Sequence, residues 1–193
     1  PGTGLHPLRG QNNVQGASDV GLIPMMLPDY HRVDEPVWRA RIEELWGTPL
    51  DAKPGLTVVE IMDAVHAGEI RGMYIMGENP AMSDPDVGHA RAALAELEML
   101  VVQDIFLTET AYLADVVLPA SAWPEKTGTV TNTDRIVQMG RRALDMPGEA
   151  RQDLWITQEI AKRLGLDWRY EGPESGVAQV FEDSKSGQLV LIL

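Results

Sequence analysis

Hydrophobic and polar positions change rhythm three times along the chain. The first thirty residues hold Gly2, Gly4, Gly10, Gly16 and Gly21 with Pro7, Pro24 and Pro28, and show little periodicity. They predict a winding loop with one helical turn near Gly16 to Met26. Asp34 then offers an N-cap with Pro36 in the first turn, and Val37, Ile42, Leu45 and Trp46 form a helical stripe that Gly47 closes. Thr57 and Glu60 make a capping box for a second helix, with Val58, Ile61, Met62 and Val65 as its apolar face and Gly68 as its end.

The second rhythm is shorter. Gly72-Met73-Tyr74-Ile75-Met76-Gly77 is a continuous apolar run, the form of a strand buried on both faces. An Ala-rich helix over Asp86 to Leu97 follows, then a strand at Met99 to Gln103. Thr108 to Leu113 reads as a short helix and Val116-Val117-Leu118 as a third strand. Strand, helix, strand, short helix, strand is the signature of a parallel sheet, so the fold class is α/β with flanking helices. From Trp123 the character shifts again. Gly128 to Thr133 is polar and β-branched, Pro147-Gly148 marks a turn, and Arg151 to Leu164 is an amphipathic helix with Gly165 as its C-cap. Ser175 to Phe181 reads as another short helix. We therefore expect an α/β domain over residues 1–122, followed by a segment of an adjoining α+β region over 123–193.

Composition narrows the function classes. The chain has 193 residues, 44% hydrophobic, with 16 Lys+Arg against 29 Asp+Glu for a net charge of −13. Such acidity argues against a nucleic-acid backbone binder. No apolar run approaches the ~18 residues of a membrane-spanning helix. Cysteine is absent, which excludes disulfides and an iron–sulfur cluster held by these residues. His6, His31, His66 and His89 are scattered without metal-ligand spacing and read as surface or packing residues. No signal peptide can be read after Pro1-Gly2-Thr3, and the apolar ending Leu189-Val190-Leu191-Ile192-Leu193 reads as a strand or buried segment whose partner lies elsewhere; a cytoplasmic protein is expected. Both ends read as cuts, predicting an excerpt of a longer protein.

Three motifs carry candidate chemistry. Gly77-Glu78-Asn79-Pro80 follows the best strand, where ligands of open α/β sheets bind; it fits either a heterocycle-reading amide or an Asx-Pro turn. Gln103-Asp104 ends the next strand in the same way, either as a partner for the donor edge of a guanine or pterin or as a turn cap. A right-handed crossover places the two strands side by side. Arg9-Gly10-Gln11-Asn12-Asn13 gathers a cation and three amides around a glycine, suited to a bound anion or polar cofactor, or to a plain surface loop.

Taken in order, the motifs resemble a known family. Leu8 to Ala17 (Leu-Arg-Gly-Gln-Asn-Asn-Val-Gln-Gly-Ala), Gly77 to Pro80, Gln103 to Ala111, Ala114-Asp115-Val116-Val117-Leu118-Pro119-Ala120, Glu125 to Asn132, and Arg135 with Gln138 are similar to the catalytic subunit of molybdenum- or tungsten-dependent formate dehydrogenase, in the molybdopterin oxidoreductase (dimethyl sulfoxide reductase) superfamily. The Gly-x-Asn-Pro and Ala-Asp-Val-Val-Leu-Pro pieces recur across the superfamily; the arginine loop points to formate dehydrogenases.

The resemblance implies oxidation of formate to CO2 at bis(molybdopterin guanine dinucleotide) carrying Mo or W. It implies that Arg9 orients formate and that Gln11 lies near a pterin dinucleotide. Asn79, Gln103, Asp104 and Lys126 would contact its guanine, ribose or phosphates, with Asp153 and Ser83 as further contacts. It implies [4Fe-4S] clusters, the metal-holding cysteine or selenocysteine and a barrel-like domain in parts of the protein not represented here. These residues alone are then one wall of the site, inactive and without bound cofactor. Partners would be the other domains of the polypeptide and iron–sulfur and flavin subunits that reduce NAD. A related nitrate reductase, and a structural subunit such as the large subunit of respiratory NADH dehydrogenase, are the competing readings.

Overall fold

The computed structural model describes residues 10–169. The predicted helix near Ser175 and the apolar end at Leu189 to Leu193 lie outside the described residues, as does Arg9. In chain order the elements are α1 (Val14–Asp19), β1 (Met26–Leu27), β2 (His31–Arg32), α2 (Pro36–Trp46), α3 (Val58–His66), β3 (Gly72–Met76), α4 (Pro80–Ser83), α5 (Val87–Glu96), β4 (Met99–Asp104), β5 (Val116–Pro119), β6 (Gly128–Thr131), β7 (Val137–Gly140) and α6 (Asp153–Arg163). They form two compact units. One takes the chain up to Gly55 with Thr127–Arg141, and the other takes Leu56–Lys126 with Arg142–Trp168.

In the first unit the helix near Gly16 starts earlier than expected, because Asn13 turns into the left-handed region and opens α1 at Val14. The N-cap of α2 is Glu35 rather than Asp34. Asp34 is taken instead by Arg32, whose Nε and Nη2 each reach a carboxylate oxygen at 2.8 Å. Of the expected apolar stripe only Ile42 is buried. β6 and β7 pair antiparallel as a hairpin, where the sequence left strand and extended loop open.

The second unit holds the parallel sheet, in the order β3-β4-β5. The expected strands around Tyr74, Val101 and Val117 all pair parallel, with Tyr74 opposite Val101 and Val101 opposite Val116. Alternation sends Met73, Ile75, Leu100 and Val102 to one face, where they meet Met62 and Val65 of α3 and Ala90, Ala93 and Leu94 of α5. Leu94 and Leu100 are almost wholly buried, each worth about 2 kcal/mol of apolar burial. The capping box of α3 is present as predicted, with Thr57 N–H donating to Glu60 and Glu60 N–H to Thr57 Oγ1. Two cross-helix pairs tie α3 to α5: His66 to Glu96 at 2.9 Å and His89 to Asp63 at 3.1 Å.

β3 departs from expectation. Among the described residues it is an edge strand, and within it only Ile75 is buried, while Tyr74 and Met76 are 43% exposed. A short apolar run looks alike whether a strand is central or peripheral; position is decided by neighbours remote in sequence.

Candidate functional site

In the first unit, α1 and the β6–β7 hairpin build a polar cleft. Asn13 is the N-cap of α1 at φ 59, a conformation short amide side chains tolerate. Its side chain does not cap its own helix. Oδ1 instead accepts from the N–H of Thr131, 118 positions away, at 2.9 Å. Gly16 makes this possible, since a Cβ there would lie 2.2 Å from Asn13 Oδ1. The clamp brings Gln11, Asn12, Asn13 and Gln15 together with Thr131, Asn132, Thr133 and Asp134 around a cleft of about 280 Å³. Within that lining, buried Gln15 donates to Asp19 Oδ1 at 2.8 Å and to the Tyr30 hydroxyl at 3.3 Å. Arg135 pairs with Asp19 at 3.4 Å and lies over the Tyr30 ring. Carboxamides and hydroxyls can both donate and accept, so this lining suits the mixed edge of a heterocycle.

In the second unit the carboxyl edge of the sheet gathers most of the other candidates. Gly77 at φ 67 turns the chain out of β3. Asn79 follows, and its carboxamide is spent within the fold: Oδ1 accepts from Thr110 N–H at 3.1 Å and Thr110 Oγ1 at 2.8 Å, while Nδ2 donates to Glu109 at 2.7 Å. That donated bond is the main cause holding the Glu109 carboxyl below its ordinary range. Ser83 Oγ donates back to the Asn79 carbonyl at 3.1 Å. Asp104 Oδ1 accepts from the N–H groups of Ile105 at 2.7 Å and Phe106 at 3.3 Å, a turn-capping geometry.

Gln103, Lys126 and Asp153 form one chain of bonds. Gln103 is fully buried, its Oε1 accepting from the Tyr74 hydroxyl and its Nε2 donating to Asp153 Oδ1 at 2.7 Å. Lys126 Nζ closes on Asp153 Oδ2. Burial first, and the Asp153 charge second, push the Tyr74 hydroxyl above its ordinary pKa. In the same unit Ser121 is 1% exposed, and its Oγ is a buried polar atom without a hydrogen-bond partner among the described residues. Its own N–H reaches the Arg151 carbonyl at 2.9 Å, one residue before the cap of α6.

The structure thus joins Gln103, Lys126 and Asp153 directly, sets Asn79 and Ser83 together in the turn after β3, and leaves Asp104 in its own turn. Gln11 belongs to the other unit. Sequence reasoning missed Thr131 as the partner of Asn13, Tyr74 as the partner of Gln103, and the pair Glu109–Thr110 that holds Asn79. Only the last had a local signal, since both residues lie in the motif Gln103 to Ala111.

A family model for molybdopterin oxidoreductases matches residues 3–163. The chain belongs to the molybdopterin oxidoreductase family. It is 54% identical over 164 residues to the F420-dependent formate dehydrogenase subunit alpha of Methanocaldococcus jannaschii, covering 85% of this chain and 24% of that protein. It is 47% identical over 173 residues to a putative formate dehydrogenase of Bacillus subtilis, covering 90% of this chain and 18% of that one. The chain therefore spans about a quarter or less of the length of these relatives. Acetylene hydratase from Pelobacter acetylenicus shares the fold, with a TM-score of 0.57 at 22% identity over 68% of this chain and 19% of that one. Every candidate residue of this molybdopterin oxidoreductase chain, from Arg9 to Asp153, lies inside the segment that the family model matches. Among the described residues no helix is long and apolar enough to cross a membrane.

Proposed function

We propose that these residues form part of the cofactor-binding wall of a formate dehydrogenase catalytic subunit, which oxidises formate to CO2 at a bis(molybdopterin guanine dinucleotide) centre carrying Mo or W. One observation carries the reading. The loop that resembles formate dehydrogenases supplies Gln11, Asn12 and Asn13 to a polar cleft, and the Thr131–Asp134 turn completes it. The chemistry of the donors fits such a group: amides and hydroxyls matching a pterin edge in one unit, and a lysine and a buried, unpartnered Ser121 hydroxyl in the other.

When bound, the metal cofactor supplies the two-electron redox chemistry; the residues described here bind and orient. Gln11 would face the pterin. Lys126 has two further N–H donors beyond the one given to Asp153, enough for a phosphate or ribose oxygen. Asp104 and Asp153 would offer acceptors to the guanine donor edge, and Asn79, Ser83 and Gln103 would support the turn and strand end that carry them. Arg9, permanently protonated, would clamp formate as a planar fork and cannot serve as the proton acceptor. Electrons would leave through [4Fe-4S] clusters elsewhere in the polypeptide. The relatives named for F420 give no support to the NAD-reducing partner expected from the sequence, so the proposal for the acceptor stops at a soluble two-electron carrier. These 193 residues alone would not turn over formate.

Steady-state kinetics of the full-length enzyme test the reading. Arg9→Ala should lower kcat/KM for formate by about 2–5 kcal/mol of transition-state stabilisation, as for a broken buried charge pair. Arg9→Lys, keeping charge without the fork, should recover part of it. An Arg9→Ala enzyme with unchanged kcat/KM would remove Arg9 from substrate binding.

A further inference from the structure

The series of bonds from Lys126 through Asp153 to Gln103 ends on Tyr74. The register of β3 on β4 sets Tyr74 opposite Val101 and Met76 opposite Gln103. Alternation therefore puts Tyr74 and Gln103 on one face of the sheet, the face turned away from the core that α3 and α5 share. There the Tyr74 hydroxyl donates to Gln103 Oε1, while Gln103 Nε2 donates to Asp153 Oδ1 at 2.7 Å. Asp153 is the first residue of α6, so the second bond holds the start of that helix to β4.

Chemistry gives each bond a direction. A carboxylate only accepts, so Asp153 takes the amide nitrogen, and the amide oxygen is left facing Tyr74. The hydroxyl must then be the donor, and it must keep its proton to be one. Burial and the Asp153 charge, which raise the Tyr74 pKa, both act to keep it there. Gln103 is wholly enclosed, so without that hydroxyl its oxygen would lose its partner in a site that water does not reach. Each member of such a series polarises the next, so an amide oxygen that accepts from Tyr74 also makes the amide nitrogen a better donor to Asp153. The far end of the series is open: the side chains of Lys126 and Asp153 are 26% and 33% exposed, which leaves both within reach of a ligand.

We infer that Tyr74 is a positioning residue for the pair Lys126–Asp153, acting through Gln103. Its hydroxyl holds the amide so that the pair presents one geometry to the guanine dinucleotide end of the cofactor. The inference rests on the function proposed above, and it adds to that site a residue that the sequence offered only as part of an apolar run.

The full-length holoenzyme tests it through retention of the guanine dinucleotide, independently of turnover. The protein is held in urea below its unfolding transition and desalted at intervals, and its bound guanine is measured after acid hydrolysis. Lys126→Ala and Asp153→Ala, which break the pair, should each hasten loss by about tenfold or more. Tyr74→Phe, which keeps the ring and removes only the hydroxyl, should hasten it by about tenfold, the equivalent of one buried hydrogen bond. In a Gln103→Leu background the hydroxyl has no amide to hold, and Tyr74→Phe should change the rate by less than about twofold. Wild-type retention in Tyr74→Phe, with loss hastened in Lys126→Ala or Asp153→Ala, would overturn the inference and leave the proposed function standing. Equal acceleration by Tyr74→Phe in both backgrounds would assign Tyr74 a packing role and overturn the inference too. Wild-type retention in Lys126→Ala and Asp153→Ala alike would remove the pair from cofactor binding, and the inference with it.

Discussion

Substituting Gly16 by alanine sets two known effects against each other, and the structure says which wins. Gly16 sits inside α1 at an ordinary helical φ, so alanine would by itself favour the helix by ~1 kcal/mol. The added Cβ, however, would lie 2.2 Å from Asn13 Oδ1, 3.0 Å from Asn13 Cγ and 3.1 Å from Thr131 Oγ1. The carboxamide must swing away, and Thr131, 8% exposed, loses the acceptor of its N–H. Leaving a buried donor unpaired costs ~1–3 kcal/mol. The balance is a loss of ~1 kcal/mol, about a fivefold change in a local opening equilibrium.

Native-state hydrogen exchange at the Thr131 amide and in α1 reads this directly. Gly16→Ala should speed exchange at Thr131 by roughly fivefold. In an Asn13→Ala background the obstructing oxygen is gone, so the same substitution should slow exchange in α1, recovering the ~1 kcal/mol helix preference. The two changes should therefore couple by ~2 kcal/mol. Equal effects of Gly16→Ala in both backgrounds would refute the clamp.

Two further substitutions probe the second unit. Gln103→Leu preserves bulk in a fully buried site but strips Tyr74 of its acceptor and Asp153 of one donor, and should lower stability by ~1–3 kcal/mol in urea unfolding. The Tyr74 hydroxyl should still titrate high in ultraviolet difference spectra, because burial is the larger cause. At the α3 cap, Thr57→Ala should cost ~1 kcal/mol at neutral pH. The Glu60 carboxyl is held below its ordinary value by bonds from Thr57. Its contribution is thus complete above the usual glutamate range and lost as pH falls through the lowered value. Alanine keeps the backbone N–H, the larger cause, and removes only the hydroxyl, so the gap between wild type and Thr57→Ala should narrow in part as pH falls through and below the usual glutamate range in chemical denaturation, and a constant gap would contradict the assignment.

Features specified by near neighbours were legible in the sequence. The capping box of α3 needs only Thr57 and Glu60, three apart. The strand–helix–strand rhythm from Gly72 to Leu118 needs only runs and spacings, which is why the parallel order of β3, β4 and β5 follows from it. What was not legible depends on competition or on distance. Asp34 is a good N-cap type, but Arg32 two residues earlier offers it two charge-assisted bonds at 2.8 Å, stronger than one backbone N–H can give. The exposure of Tyr74 and Met76 depends on what lies beyond β3, and nothing within that run encodes it.

The candidate site divides along the same line. Residue types at strand ends placed Asn79 and Gln103 at one carboxyl edge, because strand and crossover geometry are local consequences of pattern. Which atoms those side chains spend on the fold was invisible, since the partners of Gln103 are Tyr74 and Asp153, 29 and 50 positions away. This matters for the chemistry. A carboxamide with its oxygen on Tyr74 and its nitrogen on Asp153 cannot turn to read a ligand without breaking both bonds, whereas Lys126 keeps two donors after pairing with Asp153. Gln103 therefore acts in the proposed site by fixing Asp153, while Lys126, with two donors left, and Asp153, with lone pairs left on both oxygens, are the members of the chain that can face a ligand.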